Sequence, residues 1–443
     1  MPKRLAEQSI LFISILKWVI LATVIGSIVG LSTSGFLIAL NFSIAFAKKY
    51  PYYFLSLPIA FWLSAMLVKR LAPEAEGHGT EKVIEAVHKR SGRIDKAVVP
   101  VKLIATIITL AAGGSAGKEG PCAQIGAGLS SLFADLFRFN NRDRKKLVIC
   151  GISAGFAAVF GTPIAGAIFG VEVLFVGSLL YDVLLPSFIS GVTAFQISSA
   201  LGVKYFHHAI AFTPVFSELF FLKVVVAGIC FGMCSFVMIE IMRSAEKLSA
   251  LLNISKPLKG LLGGATVLLL ALAFSRQYLG LGLDTIEASL NGQPVSWYAF
   301  LMKCVFTATT LGFGGSGGIV TPIFFVGATS GSLYARIAGL DLATFSAIGL
   351  VSLLAGAANT PIAASIMAVE LFGPQIAPYA AVSCVLSFLM TGHRSVYPSQ
   401  ILSVKKSPSL NVQVGQQIDE LNTQVSLRMK SILWLLRVLK RSK

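Results

Sequence analysis

The chain has 443 residues, of which 55% are hydrophobic and only 13% charged, with a mean hydropathy of +0.77. A water-soluble protein of this length carries roughly a quarter of its residues as Asp, Glu, Lys or Arg, so lipid covers much of this surface and a soluble enzyme is excluded. The 37 Lys+Arg against 20 Asp+Glu give a formal charge of +17, but no polar domain with exposed aromatics concentrates it, so nucleic acid is not a partner.

In chain order, the first apolar run extends from Ile10 past Phe46, too long for a cleaved signal peptide, and is retained as membrane structure. Spans of about 20 residues cross a bilayer. Val19–Phe46, Phe54–Val68, Val183–Leu201, Phe220–Met242 and Leu261–Phe274 are candidates. Between them lie shorter stretches broken by Gly and Pro: Val98–Gly114, Pro121–Phe137, Leu147–Phe160 and Pro163–Leu180. Broken backbone at membrane depth survives only where protein or a watery cavity surrounds it. A bundle with many half-length helices follows, their inner ends aimed at something polar. Basic clusters lie between the runs, at Lys69-Arg70, at Lys89, Arg90, Arg93 and Lys96, and from Arg142 to Lys146. Both ends are basic too, which places both termini in the cytoplasm. After Tyr397 the chain is polar to about Gln424, and no soluble regulatory domain is expected there. Val425 to Lys443 reads as an amphipathic surface helix. The six cysteines sit in or beside apolar segments without zinc-type spacing and read as small packing residues; no metal or cofactor is expected.

The chain repeats itself. Gly161-Thr-Pro-Ile-Ala-Gly-Ala-Ile-Phe-Gly-Val-Glu-Val-Leu174 returns as Asn359-Thr-Pro-Ile-Ala-Ala-Ser-Ile-Met-Ala-Val-Glu-Leu-Phe372, with Pro163 to Pro361 and Glu172 to Glu370 in step. Gly113-Gly-Ser-Ala-Gly-Lys-Glu-Gly-Pro121 returns as Gly314-Gly-Ser-Gly-Gly-Ile-Val-Thr-Pro322. Duplicated halves with broken helices mark a transporter-type fold whose site lies where the halves meet. The expected division is 1–200 for the first membrane half, 201–400 for the second and 401–443 for a short basic tail.

The most informative stretch runs from Gly113 to Gly128. A glycine-rich turn leads through Lys118-Glu119-Gly120-Pro121 into an apolar helix, and Pro121 suits a first helical turn. Converging N–H groups and the helix dipole bind an anion without a full counter-charge. That suits transport, because a bare cation in low dielectric would hold chloride too tightly to release it. Glu119 stands at the same end. A carboxylate there can fill the anion site itself, then swing away or take a proton when the ion enters. An ionisable group at membrane depth is expensive and is functional by default.

Gly117-Lys-Glu-Gly-Pro121 resembles the G-K/R-E-G-P signature of the CLC chloride channels and transporters, and Gly317-Gly-Ile-Val-Thr-Pro322 is similar to the second signature, G-G-x-F-x-P. Gly77-His-Gly79 falls where the family's G-S-G-I-P loop is expected, and Tyr397 where a late tyrosine closes the pathway. The resemblance covers about residues 15 to 400 and is to bacterial-type members without CBS domains. It implies an all-α polytopic fold of two inverted-topology repeats with tilted and broken helices, a homodimer with one pathway per subunit, and an inner (plasma) membrane location. It implies Glu119 as the gate and an anion path lined by His78, Gly79, Lys118, Gly120, Gly318, Ile319, Val320 and Tyr397. The amides of Ile319 and Val320 would hold the central chloride, with the Tyr397 hydroxyl donating to it.

Three departures matter. His78 stands where serine is usual, which bears on selectivity and pH sensitivity, although it also reads as a solvated loop residue. Val320 replaces phenylalanine. Val173 occupies the second of two adjacent positions where proton-coupled members carry glutamate, and it carries no proton. The expected function is therefore passive gated chloride transport or a weakly coupled carrier, ahead of proton/chloride exchange, with an unrelated secondary carrier third. Glu172 and Glu370 read as caps on helix ends rather than as proton relays.

Overall fold

The computed structural model describes residues 2–205, 208, 210, 217–421 and 424–425. Its helices fall into two series in the same order. The first comprises α1 (Pro2–Lys48), α2 (Leu57–Leu71), α3 (Thr80–Lys89), α4 (Val98–Ala111), α5 (Glu119–Leu136), α6 (Asn141–Phe160), α7 (Pro163–Glu172) and α8 (Tyr181–Ala200). The second comprises α9 (Glu218–Leu251), α10 (Lys256–Ala273), α11 (Leu283–Leu290), α12 (Ala299–Gly312), α13 (Val320–Ala338), α14 (Leu342–Ala358), α15 (Pro361–Phe372) and α16 (Ala377–Met390). The duplication that the sequence shows in two blocks thus runs through the whole bundle. The amphipathic helix expected from 426 to 443 lies outside the described residues.

Among the described residues, five helices are long and apolar enough to span a bilayer, within Ala6–Lys48, Tyr53–Leu71, Tyr181–Ala200, Glu218–Leu251 and Lys256–Ala273. The first and fourth exceed the ~20 residues that a span needs. Large apolar side chains such as Ile10, Phe42, Ile59, Leu222 and Leu269 face outward, where lipid is their solvent. By contrast α5, α6, α13 and α14 are buried along nearly their whole length. Their backbone ends consequently meet protein rather than lipid.

The same local chemistry starts and stops the paired helices. The Asn140 side chain caps α6 by accepting from the Asp143 amide at 2.9 Å, and Asp341 caps α14 by accepting from Thr344 at 2.7 Å. Left-handed residues end these helices, Gly161 and Asn359, and Pro163 and Pro361 open the next ones.

The halves are also knitted across one another. Glu370 at the end of α15 accepts from the amides of Ile164 and Ala165 at the start of α7 (3.0 and 2.8 Å). Glu172 at the end of α7 accepts from Ile362 and Ala363 at the start of α15 at the same distances. Each glutamate thus satisfies two orphan donors of the other half's helix, beside the positive end of its dipole. This agrees with the reading of both as helix caps.

The tail returns beneath the bundle. Its strand β2 (Ile401–Leu402) pairs in parallel with β1 (Phe175–Val176), and β3 (Leu410–Asn411) pairs antiparallel with β4 (Gln424–Val425). Val176, Leu402, Val412 and Ile418 form a small core under this hairpin.

Candidate functional site

The two glycine turns meet. Gly117 donates to the Gly318 carbonyl at 2.7 Å and Gly318 returns the bond to Gly117 at 2.6 Å. Side chains lock the crossing on both sides. Ser115 N donates to Thr310 Oγ1 on α12 at 3.1 Å, and Ser316 N donates to Thr109 Oγ1 on α4 at 3.0 Å. The hydroxyl pairs Ser115–Thr307 and Thr106–Ser316 repeat the pattern at 3.0 and 3.2 Å. Each turn is therefore held by a helix of the other half, and α5 and α13 start from a common point.

No side chain fits in that crossing. A Cβ on Gly120 would run into the His78 carbonyl oxygen, and one on Gly318 would meet the Gly120 amide at 2.6 Å. Glycine here is a steric requirement for bringing two helix N-termini together.

Glu119 is the first residue of α5 and is 1% exposed. Its carboxylate crosses to α13, where Oε2 accepts from Thr321 N at 3.1 Å and Oε1 accepts from the Thr321 hydroxyl. The carboxylate thus satisfies an amide at the positive end of a buried helix, a place whose chemistry suits an anion.

The other predicted residues gather around it. Ile319 and Val320 are buried at the start of α13, and Gly79 packs against the Gly120 carbonyl. Lys118, the N-cap of α5, is half-buried. His78 is buried, not a solvated loop residue, and its ring lies 5.7 Å from that of Tyr397, centroid to centroid. Tyr397 is fully buried rather than at an interface. Among the described residues its hydroxyl, beside Thr80, and Nδ1 of His78 have no partner in hydrogen-bond geometry.

His78 and Ile319 line a cavity of about 730 Å³, which Arg243, Lys247 and Arg394 also line, with the acids Glu246 and Asp419. Basic side chains in such a vestibule raise the local anion concentration. Val396 and Pro398, which flank the buried Tyr397, also line this cavity.

Four positions had escaped the sequence reading. Thr321 supplies the hydroxyl that holds the gate. Lys102 and Lys303, both fully buried, tie down the loops on either side: Lys102 donates to Ala75 O and Gly77 O (3.2 and 2.6 Å), Lys303 to Tyr278 O and Gly280 O (3.1 and 2.8 Å). A lysine inside each short apolar stretch is the signal that would have found them. Gln400, also fully buried, donates to Val173 O at 2.7 Å and Ala358 O at 2.9 Å and accepts from Ser395 Oγ and Asn359 Nδ2. It anchors the segment carrying Tyr397 to the ends of α7 and α14. Val173 itself is fully buried and apolar, so no carboxyl stands at the position where the proton-coupled pattern needs one.

The chain matches the family described as voltage gated chloride channel over residues 59–392. It is 34% identical over 404 residues to a chloride/fluoride channel protein of Pseudomonas syringae pv. tomato, covering 90% of this chain and 89% of the relative. Among solved structures it is similar to a CLC-type fluoride/proton antiporter, with a TM-score of 0.83 and 29% identity over 88% of this chain and 98% of that one. The fold also matches a slow cyanobacterial Cl⁻/H⁺ antiporter at TM-score 0.75 and 21% identity, covering 84% and 94% of the two chains.

Proposed function

This chain belongs to the voltage-gated chloride channel (CLC) family of membrane anion transporters, and within it we propose that it exchanges a small halide, fluoride or chloride, for protons under the control of Glu119. One observation carries the reading: the buried Glu119 carboxylate occupies the Thr321 amide and hydroxyl in place of an anion. Two negative charges cannot share that helix end at low cost, so an entering halide expels the carboxylate or waits for its protonation. Either event links anion movement to the proton affinity of one side chain. The burial of Tyr397 and the bonded Glu119 carboxylate support exchange over an open pore.

Fluoride comes into consideration from the names of the Pseudomonas relative and of the fluoride/proton antiporter. It is the smaller and stronger hydrogen-bond acceptor of the two halides, and His78 and the Tyr397 hydroxyl are donors that reward such an ion. The passive channel that the sequence favours remains the second reading, and Val173 is the observation behind it. The proposed setting is a bacterial inner membrane, with both termini cytoplasmic and a homodimer as the working unit.

The test is purified protein in liposomes with halide and proton recorded together. A halide gradient should drive protons uphill, and Glu119→Gln should abolish that movement. Halide flux with no proton movement would establish the channel reading, and flux indifferent to Glu119→Ala would remove the gate.

A further inference from the structure

Glu81 plays no part in the gate, yet its carboxyl acts on Tyr397, as Glu119 does. It follows Gly79 and Thr80 at the start of α3. Oε1 accepts from Ser399 N at 3.0 Å and from the Ser399 hydroxyl. Oε2 is buried and has no hydrogen-bond partner among the described residues. Ser399 lies two residues beyond Tyr397 and directly follows Pro398, which lines the vestibule. The carboxyl therefore stands just behind the vestibule wall, with one oxygen uncommitted.

That oxygen has company. Thr80 Oγ1, His78 Nδ1 and the Tyr397 hydroxyl are likewise buried without partners among the described residues. Thr80 adjoins Tyr397, and Tyr397 lies within electrostatic reach of both Glu81 and Glu119. A buried polar atom left alone costs ~1–3 kcal/mol, and polar sites of this kind hold water. Thr80 and Tyr397 face each other, Glu81 and Glu119 both act on Tyr397, and these polar atoms offer water a place between the two carboxyls. On α3 itself Lys82 and Glu85 pair with each other at 2.9 Å, and both act electrostatically on Glu81. From the elements packed on α3, Glu119 lies on α5, and Lys145 of α6 acts on His88 at the far end.

We propose that Glu81 is the carboxyl that takes protons from the vestibule and passes them to Glu119, in the role that Val173 cannot fill. Vestibule hydronium protonates the Glu81 carboxylate. Once a halide has displaced Glu119 from Thr321, the Glu81 O–H breaks and a proton crosses that water to form an O–H on Glu119. Glu81 returns to carboxylate, and Glu119 is left neutral. The idea rests on the proton-coupled reading above.

The experiment compares wild type, Glu81→Gln and Glu81→Asp in liposomes under a fluoride or chloride gradient, reading protons moved per halide. Wild type should pump. Glu81→Gln should lose proton movement by about 100-fold or more while still passing halide, which also shows that it is folded. Glu81→Asp should restore protons per halide at a reduced rate. A Glu81→Gln protein that pumps at the wild-type ratio overturns the assignment. Should Glu81→Gln fail to fold, an Asp variant whose proton rate and pH profile match wild type overturns it instead. A wild type that moves no protons removes the exchange reading itself and Glu81's role with it, a result visible before any variant is made.

Discussion

Replacing Thr321 with valine tests the gate most directly, because the two residues are nearly isosteric and only the hydroxyl is lost. The closed state holds Glu119 by two donors, Thr321 N on Oε2 and the Thr321 hydroxyl on Oε1. A monatomic halide at the amide does not need the second donor. The variant therefore leaves Oε1 of a buried carboxylate without its hydroxyl donor while costing the halide-bound state less. A hydrogen bond to a charged group contributes about 1.5–3 kcal/mol, and about 1.4 kcal/mol is a factor of ten. The closed state should lose ground to the halide-bound state by about 10- to 150-fold. The assay is fluoride and chloride binding by calorimetry, followed by flux at limiting halide. Apparent halide affinity should rise in Thr321→Val and should not respond to the valine when Glu119 is already alanine. Unchanged affinity, or the same shift in the Glu119→Ala background, would refute the picture of Thr321 as the latch of a carboxylate plug.

Three further outcomes are expected. Glu370→Ala strips two donors at the start of α7 of their acceptor and should lower stability by about 1–3 kcal/mol, read as the midpoint of thermal unfolding in detergent, with protons per halide unchanged; loss of coupling at unchanged stability would make it a relay instead. Gly120→Ala drives a methyl group into the His78 carbonyl and should cut halide flux sharply at a stability cost of about 1–3 kcal/mol, and normal flux would show the crossing to be looser than described. His393 follows α16 and accepts from the Lys406 amide at 3.1 Å; its burial, with Lys406, Lys405 and Arg394 nearby, lowers its proton affinity. The stability that its neutral ring lends the docked tail is in place above an unfolded imidazole's pKa of about 6.5 and drains away as pH falls below that. Hydrogen exchange across 401–421 should therefore quicken in mild acid, and His393→Gln should flatten that dependence.

The meeting of two helix starts was legible because its chemistry is local. A glycine turn, a carboxylate and a proline in one nine-residue stretch, repeated 201 residues later, announce two helix starts and their likeness. The adjoining Thr321 was not legible, since nothing in Val-Thr-Pro says that its hydroxyl meets a carboxylate 202 residues earlier. Gln400 shows the same limit: its partners at 173, 358, 359 and 395 converge only after both halves have folded. Alternation and spacing also misjudged environment. A histidine between two glycines reads as surface loop, and only the closure of Gly79 onto Gly120 draws His78 inside. The helix caps Glu172 and Glu370 were foreseen in kind, but their reciprocity was not, because direction is absent from a linear repeat.

That reciprocity bears on how the chain is made. When α1 to α8 have entered the bilayer, the amides of Ile164 and Ala165 still lack the acceptor that Glu370 will bring, and Glu172 still lacks its donors. Wherever hydrocarbon surrounds such groups, they cannot turn to water. The first eight helices are thus a waiting assembly whose broken segments must stay near the insertion machinery, or near the interface, until α15 arrives. Joining both halves in one polypeptide holds the second eight helices at high local concentration during that wait, so biogenesis, as much as transport, explains why the halves are not separate subunits.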